Sequence, residues 1–119
     1  MKIDNNLPIY IQLVEQIKIE IISGKLKSGE RILSVRELAN LFKVNPNTMQ
    51  KAMQELEELG LIYTERTNGK FVTENTKLID KLRDKYASDL AADFFIGMSN
   101  IGYDEKDAIK YLNELKGDK

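Results

Sequence analysis

Two helix-start signals eleven residues apart, at Ser34 and Asn45, most constrain what this chain can fold into. Ser34, with Glu37 three residues later, forms a capping box that satisfies free N–H groups at the start of a helix. Asn45 followed by Pro46 marks the start of another helix, with a capping side chain and a proline in the first turn. Only the pair Lys43-Val44 is left for a tight turn between them. The sequence therefore predicts a short helix, a turn and a second helix.

A longer helix is predicted before this pair. It begins at Leu7-Pro8, with Pro8 at the first helical position, and runs to about Ser23, where Gly24 can cap its end. A polar turn over residues 25–30 and a short extended Arg31-Ile32 then connect it to the capping box. The three helices bury apolar residues at helical spacing: Tyr10, Leu13, Val14, Ile17 and Ile21; Val35, Leu38, Ala39 and Phe42; Met49, Ala52, Met53, Leu56 and Leu59.

After Gly60 the pattern changes to short β-prone segments. Residues 61–66 and 70–73 are predicted to pair as a hairpin around Asn68-Gly69, because both turn residues tolerate positive φ. A long amphipathic helix follows from Thr76 to about Met98, and a last helix begins at Asp104, with Ala108, Tyr111, Leu112 and Leu115 on one face. The predicted fold is mainly α with a small β-hairpin: a winged helix-turn-helix over residues 1–73 and two C-terminal helices over 74–119.

Composition excludes most chemistry. The absence of Cys and His removes thiolate and imidazole metal ligands, the Ser-His and Cys-His nucleophile systems and any structural disulfide. Asp89 and Asp93 lie one helical turn apart, but two carboxylates of this common kind do not predict a metal site. We expect no catalytic residue, no metal and no cofactor, and hence no enzyme. No apolar run is long enough for a membrane span, so a cytoplasmic protein without membrane association is expected.

The exposed face of the third predicted helix points to DNA. With 18 basic and 19 acidic residues the chain has no overall basic field, so a DNA-binding face must be local. Residues 43–54 contain two lysines and no acid. Amide side chains can pair with adenine edges, and a lysine can pair with guanine or phosphate. The residues offered on this helix are Asn47, Thr48, Gln50, Lys51 and Gln54.

Two further elements are predicted to surround this recognition helix. Arg36 lies near the start of the second helix, where its guanidinium could hold a phosphate or reach a base. Arg66 and Lys70 flank the tip of the hairpin, the wing. Each feature alone is common in proteins that do not bind DNA, but their order within 73 residues favours DNA binding.

The residues resemble the GntR family of bacterial regulators. The similarity runs from about residue 7 to 73, through Pro8-Ile9-Tyr10, residues 24–31, Ser34-Val35-Arg36-Glu37-Leu38-Ala39, Val44-Asn45-Pro46-Asn47-Thr48 and Gly69-Lys70-Phe71-Val72. Asn-Pro-Asn-Thr with a short tail resembles the YtrA-like subgroup. The resemblance implies DNA contacts from Arg36, Asn45, Asn47, Thr48 and Lys51, and a wing that approaches the minor groove near Gly69. Many members carry arginines in the recognition helix where this chain has Pro46 and Gln50.

The tail after Thr73 predicts self-association. Its 46 residues are too few to enclose a small-molecule pocket of the usual size, so no effector is evident. The apolar stripe of the long helix needs a partner surface, and a second copy would also double the DNA contacts. The alternatives are packing onto the chain's own domain or another protein partner. The predicted dimer-interface residues are Leu78, Leu82, Tyr86, Leu90 and Phe94.

Together these patterns predict a sequence-specific transcriptional regulator, most simply a repressor, that binds double-stranded operator DNA as a homodimer. Two-fold symmetry of the dimer then predicts a palindromic operator. The alternative is a winged helix that binds proteins and has no DNA affinity, which the near-neutral charge would permit.

Overall fold

The structure, a computed structural model, describes residues 3–117. Its elements in chain order are the helices α1 to α5 and one antiparallel hairpin of strands β1 and β2. Their bounds are α1 Ile9–Ile22, α2 Val35–Phe42, α3 Pro46–Glu58, β1 Ile62–Glu65, β2 Gly69–Val72, α4 Thr76–Asn100 and α5 Glu105–Gly117. The chain divides into two compact units, Met1–Leu82 and Arg83–Lys119, and the predicted mainly α class with a small hairpin is confirmed.

The first unit is built around a core to which α1, α2, α3 and the hairpin all contribute. Pro8 flanks α1 instead of occupying its first position, and its carbonyl accepts the amides of Ile11 and Gln12. Leu59, predicted to face inward, is exposed, because α3 ends at Glu58 and Leu59 lies at the edge of its apolar face. The fully buried side chains include Leu13, Ile21, Met49, Met53, Leu56, Leu61, Ile62 and Val72.

The turn between α2 and α3 is held by hydrogen bonds at the end of α2. The amide of Val44 donates to the Ala39 carbonyl at 3.0 Å, and the amide of Lys43 donates to the Asn40 carbonyl at 3.3 Å. Lys43 adopts φ +57°, a left-handed conformation that usually requires glycine at this cap. The tight turn places α3 directly after α2 and packs the two helices together.

The wing has a different turn from the one that the sequence predicted. Glu65 pairs with Gly69, so the loop is Arg66-Thr67-Asn68 instead of Asn68-Gly69, and the Asn68 amide donates to the Glu65 carbonyl at 3.2 Å. Within the hairpin, residues 62–72, only Gly69 has positive φ, at +99°. The wing is therefore a hairpin with a three-residue loop, and the regular strand pairing begins at Glu65 and Gly69. The two-residue signal was wrong because the strand register, set by the buried Ile62 and Val72, leaves one more residue in the loop.

A short extended segment at Arg31-Ile32 pairs with the wing beside strand β2. Arg31 forms an antiparallel bridge with Phe71, and the Ile32 amide donates to the Lys70 carbonyl at 2.8 Å. On the other side the Val72 amide donates to the Glu30 carbonyl at 2.9 Å. The predicted extended Arg31-Ile32 is confirmed, and it ties the connector after α1 to the wing.

The first unit extends to Leu82, beyond the predicted boundary at Thr73. The reason is that the first turns of α4 pack on the core: Ile79 is buried, and Leu78 and Leu82 are half-buried against it. Asn75 starts the helix by accepting the Leu78 amide on its side-chain oxygen at 3.1 Å.

The second unit contains the rest of α4 and α5. Gly102, with φ +98°, ends α4, and the Tyr103 amide donates to the Met98 carbonyl at 2.9 Å. Ala108 is the only buried residue among the described residues of this unit. Tyr111, Leu112 and Leu115, predicted to share an apolar face, are all exposed. No helix within residues 3–117 is both long and apolar enough to span a membrane.

Candidate nucleic-acid interface

Helix α3 presents one face to the core and the opposite face to solvent. Asn45 caps it through a 2.8 Å hydrogen bond from the Asn47 amide to its side-chain oxygen, and Pro46 fills the first turn as predicted. Met49, Ala52, Met53 and Leu56 are buried, which fixes the rotation of the helix. Because side chains follow a 3.6-residue period, this rotation leaves the polar face outward. Asn47, Gln50, Lys51 and Gln54 are exposed, and Thr48 is half-buried.

Lys51 lies against the ring of Tyr10 from the first turn of α1. Its ammonium is 4.0 Å from the ring centroid, the distance of a cation–π contact. The two residues share a surface hollow of about 290 Å³ with Gln54, Glu55 and Glu58. Glu55, one turn beyond Lys51, is the first acidic residue of α3. The first half of the helix, from Asn45 to Lys51, carries the amide and ammonium groups without a carboxylate among them.

The capping box of α2 orients its first turn. Ser34 accepts the Glu37 amide at 3.1 Å, and Glu37 accepts the Ser34 amide at 3.1 Å. Hydrogen bonds from the Ser34 backbone and then from its side chain lower the pKa of Glu37, with a smaller contribution from the charge of Arg31. Arg36 lies in this turn and is exposed, which leaves its guanidinium available to a ligand.

The predicted wing residues occupy different environments. Arg66 lies in the loop and is exposed, whereas Gly69 supplies the positive φ that closes it. Lys70 points to α3 and is largely covered: its ammonium donates to the Thr64 hydroxyl at 2.9 Å and lies 3.7 Å from the Glu57 carboxylate. Lys70 is thus engaged within the chain, and Arg66 is the predicted wing cation that is exposed.

The structure adds Arg31 to the wing tip, a residue that the sequence did not single out for function. Its Nε donates to the Asn68 carbonyl at 3.0 Å. The only signal in the sequence was the extended Arg31-Ile32 segment. Its pairing with the wing joins residues 37 positions apart, which no local pattern reveals.

The predicted dimer-interface residues of α4 fall into two groups, one in each unit. Leu78 and Leu82 are half-buried against the core of the first unit, so they are not a free surface. In the second unit Tyr86 and Phe94 are half-buried, and Leu90 is 69% exposed. Phe94 also stacks edge-on with Phe95, their centroids 5.4 Å apart.

The two acids considered for a metal do not form a metal-binding group. Asp89 pairs with Lys85 at 3.1 Å, one turn earlier on α4. Across residues 3–117, no three acidic side chains gather into a cluster that could hold an ion.

Comparison with known proteins identifies the fold and the family. Residues 9–72, more than half of the chain, match the family described as bacterial regulatory proteins, gntR family. The chain belongs to the GntR family. This match covers α1 to β2, the elements that form the winged helix-turn-helix, and it confirms the resemblance drawn from the sequence. Because the family consists of transcriptional regulators, the expectation that the chain is not an enzyme is also confirmed.

Three similar proteins extend the comparison. The HTH-type transcriptional repressor YtrA of Bacillus subtilis is 44% identical over 73 residues, which are 61% of this chain and 56% of that protein. A GntR family transcriptional regulator from Listeria monocytogenes is 40% identical, with a TM-score of 0.83 over 94% of this chain and 98% of that one. The DNA-binding domain of AraR in complex with operator ORR3 is 33% identical, with a TM-score of 0.55 over 61% of this chain and 88% of that one.

Proposed function

We propose that this GntR-family regulator is a repressor that binds a palindromic operator as a homodimer. Helix α3 enters the major groove, Arg36 holds a backbone phosphate beside it, and the wing tip around Arg66 and Gly69 approaches the minor groove. Occupancy of the operator blocks transcription. The proposal includes no small-molecule effector.

The observation that carries the proposal is the division of α3 into two faces. Its buried face fixes the helix against α1 and α2, and its exposed first half offers Asn47, Gln50 and Lys51 with no acid among them. A rigid helix with amide and ammonium groups along one outward side is what direct reading of base edges requires. The side-chain oxygen of Asn45 accepts the capping hydrogen bond, so its side-chain NH2 group is the donor that is left for DNA.

The relatives support both parts of the function. YtrA of Bacillus subtilis, which matches over the winged-helix region, is a transcriptional repressor. The AraR domain, which has the same fold, is solved on an operator. By analogy we assign repression and operator binding to this chain.

The second unit supports the homodimer. Eight of its large apolar side chains are exposed: Leu90, Ile96, Ile101, Tyr103, Ile109, Tyr111, Leu112 and Leu115. Contiguous exposed apolar surface typically marks a protein interface. A second copy that covers this surface would place two recognition helices on one DNA molecule, and its two-fold symmetry would impose a palindrome on the operator.

The test is a selection of bound fragments from random duplex DNA with the full chain. Recovery of a two-fold symmetric motif is expected. A motif without symmetry would contradict the dimeric operator complex but keep sequence-specific binding. No enrichment even at low salt would contradict DNA recognition and leave the protein-binding alternative.

Two variants then separate the roles on α3. Lys51→Ala is expected to weaken binding to all sequences alike, because a lysine on phosphate carries no base information. Asn47→Ala is expected to relax preference at one base pair, at a cost of about 1–3 kcal/mol. The control is Lys110→Ala, an exposed lysine of α5, which should bind like the parent protein. Equal losses on every sequence for both α3 variants would contradict the role of Asn47.

A further inference from the structure

Arg31 occupies a position between the wing tip and the start of α2. It is exposed, its backbone pairs with Phe71, and its Nε donates to the carbonyl of Asn68 in the wing loop at 3.0 Å. The charge of Arg31 also helps to lower the pKa of Glu37, after the larger effect of the Ser34 hydrogen bonds. The guanidinium is thus bonded to the wing loop, and its charge makes a small favourable contribution at the first turn of α2.

The wing loop is shaped to accept this side chain. A Cβ atom at Gly69 would lie 3.3 Å from Nε of Arg31, closer than most real contacts, and 3.5 Å from its Nη2. Gly69 also has φ +99°, which L-residues rarely adopt. The glycine thus allows both the turn and the close approach of the guanidinium to the loop backbone.

Most of the hydrogen-bonding capacity of Arg31 is unused. A guanidinium carries five N–H donors, and the contact to Asn68 takes one of them. Within residues 3–117, no carboxylate lies at ion-pair distance from Arg31, and no other contact of its side chain with a donor or acceptor is formed. An exposed arginine that is held in place by one bond and keeps its terminal amines free suits a planar anion such as phosphate.

We propose that Arg31 is a DNA phosphate ligand and at the same time the residue that fixes the tip of the wing. Through Nε it sets the position of the Asn68-Gly69 peptide, and through its terminal amines it binds the DNA backbone where the wing meets the duplex. This inference rests on the proposed DNA binding and adds a cation to it. The two wing cations proposed to contact DNA are then Arg31 and Arg66. Lys70 is not one of them, because it is engaged with Thr64 and Glu57.

The experiment measures the affinity for the duplex recovered in the selection over a series of salt concentrations. Arg31→Met is expected to weaken binding to all sequences and to reduce the slope of log K against log salt by about 0.9, the value for one phosphate contact. Arg31→Lys keeps the charge and is expected to keep the slope. Lys25→Met, which removes an exposed cation from the connector after α1, is the control and should leave the slope unchanged.

A second readout reports the wing itself. The Gly69 amide belongs to the same peptide group as the Asn68 carbonyl, so its NMR resonance should shift in both Arg31 variants of the DNA-free protein. A shifted resonance with an unchanged slope in Arg31→Met would overturn the phosphate role, and an unshifted resonance would overturn the positioning role. If the parent protein binds no duplex at all, the proposed function fails before Arg31 is tested.

Discussion

Large apolar side chains are mostly buried or half-buried in the first unit of this protein and mostly exposed in the second. In the winged-helix unit, apolar side chains from α1, α2, α3 and the hairpin meet, and Leu56 is 0% exposed. In the second unit, Ala108 is the only described residue that is buried, and Leu90 and Ile101 are 69% and 70% exposed. The amphipathic patterns look alike in the sequence. An apolar stripe on a predicted helix therefore indicates a surface that needs a partner, but it does not indicate which partner covers it.

This contrast supports the proposed division of function, with DNA binding in the first unit and dimerisation in the second. A closed core holds α3 at a fixed rotation, which a reader of DNA bases needs. An open apolar surface costs solubility unless another surface covers it, which is the basis for assigning assembly to the second unit.

The largest expected effect tests whether the first unit is a closed core. Leu56→Ala removes a fully buried side chain and is expected to lower the free energy of unfolding by about 2–5 kcal/mol. Chemical denaturation measures it. Leu90→Ala is the matched control, since its exposed side chain should contribute within about 0.5 kcal/mol at protein concentrations where the chain is monomeric. Equal losses for both variants would remove the distinction between the units.

The next largest effect tests whether a second copy of the protein covers the exposed apolar surface of the second unit. Leu90→Glu places a charge on the exposed apolar surface of this unit and is expected to convert the proposed dimer to a monomer in sedimentation. Operator affinity should fall by about 100-fold with the loss of the second DNA contact. The control is Leu41→Glu on α2, a leucine that is 65% exposed in the first unit, which should not change the sedimenting mass. A parent protein that is monomeric at high concentration would refute the assignment.

A smaller effect compares the ends of two helices, one in each unit. Lys43 ends α2 with φ +57°, so Lys43→Gly should relieve strain and stabilise the first unit by about 0.5–1 kcal/mol. Gly102 follows α4 with φ +98°, and Gly102→Ala should destabilise the second unit by a similar amount, about 1 kcal/mol. Thermal unfolding of both variants measures these shifts. A stabilising Gly102→Ala or a destabilising Lys43→Gly would show that backbone strain does not control stability at these two helix ends.

The smallest effect is a pH dependence confined to the first unit. The pKa of Glu37 is lowered by folding, so its charged form stabilises α2 above the usual pKa of 4.5, and this contribution is lost as the pH falls through the folded value. Glu37→Gln keeps a capping side chain but cannot titrate. We expect its melting temperature to fall less than that of the parent protein between neutral and acid pH. Parallel pH profiles would mean that Glu37 contributes nothing to acid sensitivity.

Local signals predicted the elements well where the deciding interaction is local. The capping box at Ser34 and Glu37 and the cap at Asn45 form as predicted, because both connect residues two or three positions apart. The wing turn was mispredicted, because its length depends on which residues pair across the hairpin. Arg31 was missed for the same reason, since its partner Asn68 is distant in the sequence.

The sequence by itself determined the order of helices and strands, the exposed polar half of α3 and the family, since each depends on spacing and residue type within short segments. The tertiary structure decided where the first unit ends, which wing cations are exposed and which apolar residues are left uncovered. Leu78 and Leu82 pack on their own core while Leu90 on the same stripe does not. The physical reason is that burial depends on which surfaces lie within reach after folding, and a period of 3.6 residues contains no information about that distance.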